Sequence, residues 1–595
     1  MEAAISNSKR LLTTLMMNLL TLPSWKALLP VFLAGATLAA DPGPLELYYT
    51  APATYANLRT SQEALPIGNG KLAAMVYGGT GTEYVQFNED TVWAGAPNDY
   101  SNPGAGDWLE TIRNYIWEGE GEAAYDNAVR ENFMSVPLRQ SPYVGAGVLV
   151  MDFGHQTVTD YRRTLDLETA KAVITYTHDG VDYRRETFAS YPDKVIVMRL
   201  TASERGSLSF DLSYDSPHVE RTVSIDGTDF IMEAKVNQDA NSRRQQTSKI
   251  EFEARARLLA EGGTVTANDT EVQVEGADTV TLLFHVGTNF VRFNDLSGDP
   301  AARALAAVEA AAGKTYAELE ADHLADYQEL FNRVTLDLGT TDAALAPTDE
   351  RLRAFETTLQ PTRNAQKASD VEGFMAALDL EDPQLIALNF QMARYLTIAA
   401  SRPGSQPMNL QGKWNNELDP SWESKMTLNI NQEMNYWLSE VGNLAECHVP
   451  MIGLVRDLSE SGAIVADVHY NADGWMVHHN TDLWRGAAPI NSPGGLWPTG
   501  NAWLSMHLWW HYEYSQDPET LAEIYPYLKG AVEFHEDFLV MDPRSPDDAY
   551  PAWGGEGHPQ WGKYLLTNPS HSPEQGNKLL DDNGEIVAGP MVDNQ

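Results

Sequence analysis

The sequence predicts a multidomain protein in which an N-terminal antiparallel β-sandwich leads, through a helical linker, into a barrel of helices. Three observations carry this. From about Tyr48 to Asn294 the pattern has period two and is rich in β-branched and aromatic residues. After Asp299-Pro300 the period lengthens to that of a helix. Beyond Asp382-Pro383 the chain is helical and aromatic, with long polar loops between the helices.

In the first region Ala172 to Thr177 and Val181 to Phe188 flank His178-Asp179-Gly180, a hairpin signal because Gly accepts the positive φ that a tight turn needs. Further alternating runs lie at Val195 to Thr201, Ser207 to Tyr214, Ile250 to Leu258, Glu271 to Val274 and Thr279 to His285. Many short strands with regular turns imply a large antiparallel sandwich. In the linker Ala301 to Gly313 is Ala-rich, and Leu319, Leu324, Tyr327, Leu330 and Phe331 recur at helical spacing. Residues 340–375, with scattered Thr, Pro and Asp, read as a loop-rich crossover. Leu385, Leu388, Met392, Tyr395 and Leu396 mark the next helix, and others follow at about 432–442, 449–468, 500–515 and 518–540. Their loops hold Trp, Asn, His and Asp, which makes one rim of the barrel the candidate site. The expected division is 1–40 targeting segment, 41–298 sandwich, 299–375 helical linker and crossover, and 376–595 partial barrel.

A chain of 595 residues is too long for one compact core. Its 83 Asp and Glu against 41 Lys and Arg give a formal charge of -42, which repels phosphate backbones and anionic lipid and argues against nucleic acid or a membrane as partner. Lys9, Arg10 and Lys26 precede an apolar run from Ala27 to Ala39, and small residues Thr37 and Ala39 precede a cut near Ala40. That pattern predicts export, to a secreted or periplasmic location, with Met16 or Met17 as an alternative start. Cys447 is the only cysteine, so no intrachain disulfide is expected, and beside an apolar stretch it reads as packing.

Several segments resemble glycoside hydrolase family 95, the α-L-fucosidase and α-L-galactosidase family. They are Leu65-Pro-Ile-Gly-Asn-Gly-Lys71, Gln86-Phe-Asn-Glu-Asp-Thr-Val-Trp93, His323-Leu-Ala-Asp-Tyr-Gln-Glu-Leu-Phe331, Ser401-Arg-Pro-Gly404 and Asn409-Leu-Gln-Gly-Lys-Trp-Asn415. The most specific are Asn429-Ile-Asn431 with Glu433-Met-Asn-Tyr-Trp437, Trp497-Pro-Thr-Gly500 with Ala502-Trp-Leu504, and Ser572-Pro-Glu574. The resemblance implies a sandwich, a linker and an (α/α)6 barrel, and hydrolysis with inversion. It matches Glu574 to the general acid and Asn429 and Asn431 to the two amides that hold the attacking water. It also implies a later Asp that draws the proton through these amides, so the stretch ending at Gln595 is expected to hold an incomplete barrel and to be inactive by itself.

The chemistry is consistent with those roles. A glycosidic oxygen leaves poorly unless a carboxylic acid protonates it, and burial beside Trp561 and Tyr564 would keep Glu574 protonated. Asn429 and Asn431, two apart, point the same way if their segment is extended, whereas from the residues alone Asn431 also reads as a helix cap. Indoles stack on the apolar face of a sugar while Asn, Asp and His bind its hydroxyls, making Trp414, Asn415, His479, Asp482, Trp497 and Trp503 the expected substrate contacts. Thr427 stands where fucose-selective members typically carry His and galactosidase-like members Thr. The run His478-His479-Asn480-Thr-Asp482 suggests a metal, but adjacent His on one strand face opposite ways, so neither metal nor cofactor is expected. The expected partner is an oligosaccharide or polysaccharide substrate. A non-catalytic glycan-binding protein and an inverting phosphorylase are the alternatives, though the phosphate cradle that a phosphorylase needs is not apparent.

Overall fold

The structure is a computed structural model that describes residues 43, 45–55, 63–118, 122–237, 247–268, 270–366, 381–543, 545, 562–571, 578–580 and 586–588. The targeting segment 1–40 lies outside the described residues.

The N-terminal region is built from two antiparallel sheets. The nine-stranded sheet runs Glu46–Tyr49, Thr159–Asp166, Lys171–His178, Val181–Ser190, Val195–Ala202, Thr279–Thr288, Glu251–Glu261, Asp229–Lys235 and Arg221–Asp226 in spatial order. The seven-stranded sheet runs Thr264–Ala267, Glu271–Ala277, Leu208–Asp215, Gly147–Asp152, Thr82–Glu89, Leu72–Val76 and Leu65–Gly68. Alternation along each strand turns one face inward, and Phe87 of the second sheet meets Phe284 of the first with ring centroids 4.7 Å apart. His178 pairs with Val181, and the two residues between them, Asp179 and Gly180, have φ of 50° and 82°, the mirror-image turn that the sequence predicts.

The region predicted as sandwich also holds two helices, α1 (Leu109–Glu118) and α2 (Glu122–Asn132), in the long excursion between strands Thr82–Glu89 and Gly147–Asp152. Leu109, Ile112 and Ile116 are buried along one face of α1, so a helical signal was present but was read as part of the surrounding period-two pattern. Next come α3 (Pro300–Ala312) and α4 (Tyr316–Phe331). Asp299 caps α3 by accepting from Ala302 N at 3.0 Å, and Thr315 with Glu318 forms a capping box on α4. Ala307 and Val308 of α3 and Leu319 of α4 cover the outer face of the nine-stranded sheet, against Phe188, Val195, Val197 and Leu283.

The crossover 340–375 is not all loop: α5 (Thr348–Gln366) occupies much of it. Its sequence offers few apolar residues at helical spacing. Polar bonds fix its start instead, Thr348 Oγ1 accepting from Tyr48 N at 2.9 Å and Arg351 Nε pairing with Asp382 at 2.8 Å. Asp382 also caps α6 (Pro383–Ala400). There follow α7 (Asn431–Val441), α8 (Val449–Tyr470), α9 (Gly500–Ser515) and α10 (Pro518–Phe538), close to their predicted bounds. Among the described residues no helix is long and apolar enough to cross a membrane.

The sandwich and the helices meet closely where strand Leu65–Gly68 and the turn after it face α6. Tyr395 OH donates to Pro66 O at 2.6 Å and Gly70 N to Ala399 O at 2.7 Å. At Gly68 an added Cβ would stand 2.5 Å from Ala399 O, so only glycine admits this approach. The motif Leu65-Pro-Ile-Gly-Asn-Gly-Lys71 thus helps to seat the helical region.

Candidate active site

The site grows from a short strand, Met426–Thr427, paired with Asn480–Thr481. Thr427 is buried, and its hydroxyl donates to Asn480 Oδ1 at 2.8 Å. Leu428 N donates to His479 O at 2.7 Å, after which the chain turns directly into α7. Asn429 lies in that turn and Asn431 is the first residue of the helix, both half-buried. The segment is therefore not extended, and strand alternation does not set the direction of the two amides. The capping alternative also fails in its simple form: Ile430 occupies the cap position and no side-chain bond caps it. Two residues on, Glu433 is wholly buried, and among the described residues neither carboxyl oxygen has a hydrogen-bond partner. Burial pushes this carboxyl well above the usual range. In the sequence Glu433 opens the run Glu433-Met-Asn-Tyr-Trp437, and a carboxylate on the inner face of a helix start is the signal that singles it out.

Just before the strand Asn480–Thr481 stand His478 and His479, both buried. His478 Nε2 bonds Tyr470 OH at 3.1 Å and its Nδ1 accepts from Trp497 N at 2.9 Å, while His479 Nδ1 bonds Gly495 O at 3.2 Å. Burial drives His479 down to about 3 and His478 well below the ordinary value, so both rings are neutral. Trp497 and Trp503 meet edge to face with ring centroids 6.1 Å apart where α9 begins.

Three expected sugar contacts serve as braces. Asp482 is fully buried, with Oδ2 accepting from Tyr100 OH at 2.6 Å and Ser141 N at 2.9 Å, and Oδ1 from Trp484 N at 3.0 Å and Gly486 N at 3.3 Å. Its lone pairs are occupied by protein, which makes it the organiser of the loop rather than a hydroxyl acceptor. Asn415 donates to Tyr143 O at 2.9 Å and Glu417 O at 3.0 Å, and Trp414 Nε1 donates to Ile67 O at 3.0 Å, so both belong to the joint with the sandwich. Asp482→Ala is expected to lower unfolding free energy by roughly 3–5 kcal/mol, because four buried donors lose their acceptor. Urea denaturation followed by fluorescence measures it, and a loss below about 1 kcal/mol would return Asp482 to the list of dispensable polar groups.

Tyr100, Gln140 and Ser141 were missed because they sit in the sandwich's long excursion, which reaches under the helical loops. Gln140 Nε2 donates to Asn480 O and Gly486 O, each at 3.0 Å. From the same excursion Arg113 Nε donates to Asn568 O at 2.9 Å and its Nη2 to Phe538 O at 3.1 Å. These bonds hold the loop 562–571, whose last residue His571 donates from its backbone N to Leu496 O at 2.8 Å. Glu574 itself, with Ser572 and Pro573, lies outside the described residues, as does Trp561.

Deeper in the helical region, Glu440 Oε1 bonds His448 Nδ1 at 2.7 Å and His511 Nδ1 at 2.6 Å. Their donor atoms lie within 4.8 Å of one another, the spacing at which a metal ion can be held. Burial raises the Glu440 carboxyl, but the two imidazole bonds outweigh it and hold it at about 2, so the group is a charged brace tying α7 to α9 and to the turn before α8.

The sandwich thus seats the helices, and Asn, Thr, His and Trp residues gather where the strand pair 426–427 and 480–481 meets the starts of α7 and α9. Residues 315–595 match the glycosyl hydrolase family 95 catalytic domain, and residues 47–292 match the glycosyl hydrolase family 65 N-terminal domain. Alpha-L-fucosidase 2 of Arabidopsis thaliana is 35% identical over 565 residues, covering 89% of this chain and 61% of that protein. "Probable alpha-fucosidase A" of Aspergillus niger is 30% identical over 564 residues, covering 90% and 64%, and its Aspergillus oryzae namesake is 27% identical over 444 residues, covering 71% and 57%. The chain is thus similar to glycoside hydrolase family 95 over residues 315–595. It spans about three fifths of the length of the curated relatives it matches.

Proposed function

We propose that this chain carries the sugar pocket and the general acid of an inverting exo-glycoside hydrolase, exported from the cell, that removes a terminal α-linked L-fucose or L-galactose from an oligosaccharide or polysaccharide. The reading rests on one continuous line of hydrogen bonds. His571 N reaches Leu496 O, the neighbouring Trp497 N reaches His478 Nδ1, and Leu428 N reaches His479 O. That line joins the loop leading to Glu574 with the turn carrying Asn429 and Asn431, two segments more than a hundred residues apart. The names of the relatives support a fucose-like sugar.

In this mechanism Glu574 protonates the leaving glycosidic oxygen while a water attacks the anomeric carbon from the opposite face. The side-chain carbonyls of Asn429 and Asn431 orient that water. Amides are not bases at neutral pH, so the proton passes to a carboxylate, which the family resemblance assigns to a later Asp. Trp497 and Trp503 offer apolar faces to the sugar, and Thr427, His479 and Asn480 face its hydroxyls. The helices from α6 onward form part of an (α/α)6 barrel.

The test is incubation of the full-length protein with α-L-fucosyl and α-L-galactosyl oligosaccharides, with and without phosphate. Free sugar at the same rate in both is expected. A phosphate-dependent sugar 1-phosphate would make the protein a phosphorylase, and binding without release would make it a glycan-binding protein.

Thr427 sets the preference between the two sugars. Fucose ends in a methyl where L-galactose carries a hydroxymethyl, and the Thr427 hydroxyl with Asn480 leaves room and a hydrogen-bonding corner for the extra oxygen. Thr427→His is expected to raise the ratio of fucosidase to galactosidase activity about tenfold or more. An unchanged ratio of kcat/KM values would show that selection lies elsewhere.

A further inference from the structure

The chain enters the strand Met426–Thr427 through Trp422, Glu423 and Ser424, three consecutive non-glycine residues with φ of 55°, 58° and 53°. Left-handed backbone brings Cβ against the carbonyl in every L residue, and a run of three persists only where the surroundings over-determine it. They do so here. The buried Glu423 carboxylate pairs with Arg139 at 3.0 Å and with the fully buried Lys425 at 3.2 Å. Glu423 O accepts from Tyr143 N at 3.0 Å and Glu423 N donates to Pro420 O at 2.9 Å. Ser424 Oγ bonds both Asn409 and Gln411. Two buried charges and a left-handed turn thus fix the backbone beside Trp422, a residue that is 71% exposed.

Trp422 and Thr427 are five positions apart, so by chain reach their Cα atoms stand at most about 18 Å apart, a span of a few sugar units. We propose that Trp422 is a stacking platform for the leaving-group side of the glycan, one or two sugar units beyond the bond that is cleaved. This rests on the glycosidase reading given above. An indole offers a flat apolar face to the C–H side of a pyranose, and a platform fixed by its backbone loses little entropy when the sugar settles on it. The turn before the strand is also the right place for it, because an exo-acting pocket closes around the terminal sugar and leaves the rest of the chain to lie across the rim.

The experiment compares the full-length protein with Trp422→Ala and Trp422→Phe on two substrates. One is a trisaccharide ending in α-linked L-fucose and the other is α-L-fucosyl fluoride, which has no leaving-group sugar to stack. Trp422→Ala is expected to raise KM for the trisaccharide about tenfold and leave the fluoride unchanged, with Trp422→Phe recovering much of the loss. Equal KM values for variant and parent on both substrates would overturn the platform, as would a matching change on both. If the parent released sugar from neither, the hydrolase reading would fall. Calorimetric titration of parent and Trp422→Ala with the trisaccharide would still decide the platform, equal affinities counting against it.

Discussion

Glu574→Gln in the full-length protein is expected to lower kcat on a natural glycan by about a hundred- to ten-thousandfold while leaving KM within a few-fold. Gln fills the same space and can still hydrogen-bond the glycosidic oxygen, but it has no proton to give as the bond breaks. Fluoride leaves without protonation, so the same variant should lose far less on a glycosyl fluoride. The contrast between the two substrates, more than the size of either loss, identifies an acid. Equal losses on both would mean that Glu574 shapes the pocket, and the acid would have to be sought elsewhere, with the buried Glu433 the first carboxyl to examine.

Asn429→Ala and Asn431→Ala should each depress kcat about a hundredfold, since misplacing a reactant by an ångström costs that much. In the proposed mechanism both amides hold a single water, so the double variant should fall little below the worse single one, the non-additivity expected of groups that act as a unit. A fluoride substrate gives no relief here, because water attack is needed whatever leaves. Fully multiplicative losses, or losses confined to KM, would remove the two amides from the water site.

Much of the fold was legible because local chemistry and tertiary packing agreed. Asp299-Pro300, Asp382-Pro383 and Asp517-Pro518 each combine a side-chain cap with a proline that is pre-set for a first helical turn, and helices start at all three. What stayed hidden lacked a periodic apolar stripe or sat in the wrong context. The helix Thr348–Gln366 is held by Arg351 and its pairing with Asp382, residues distant in sequence, and little hydrophobic pattern marks it. The helices Leu109–Glu118 and Glu122–Asn132 carry such a pattern but interrupt a sandwich between strands.

The site divided along a similar line. The family resemblance singled out Thr427, Asn429 and Asn431 and residue type His479, Trp497 and Trp503, and these lie on or beside the strand pair 426–427 and 480–481 and the starts of two helices. Type alone did not separate a sugar contact from a brace: Asp482, Asn415 and Trp414 have suitable side chains, but the excursion from the sandwich takes polar atoms of the first two and the strand residue Ile67 takes Trp414 Nε1. Such assignments depend on partners some 270 to 390 residues away, which no local pattern contains. The same reason hid Tyr100 and Gln140, whose function is visible only once Asp482 and Asn480 are seen beside them.

The most direct test of the account is the configuration of the sugar at the moment of release. Proton NMR of the full-length protein acting on an α-L-fucosyl substrate, recorded before mutarotation equilibrates the anomers, should show β-L-fucose first and the α form only later. That order follows from a water held by Asn429 and Asn431 on the face opposite Glu574, with the roughly 6.5–9.5 Å between acid and base that leaves room for the water. Appearance of α-L-fucose as the first product would require a covalent intermediate and a carboxylate nucleophile, and would contradict the role given to the two asparagines.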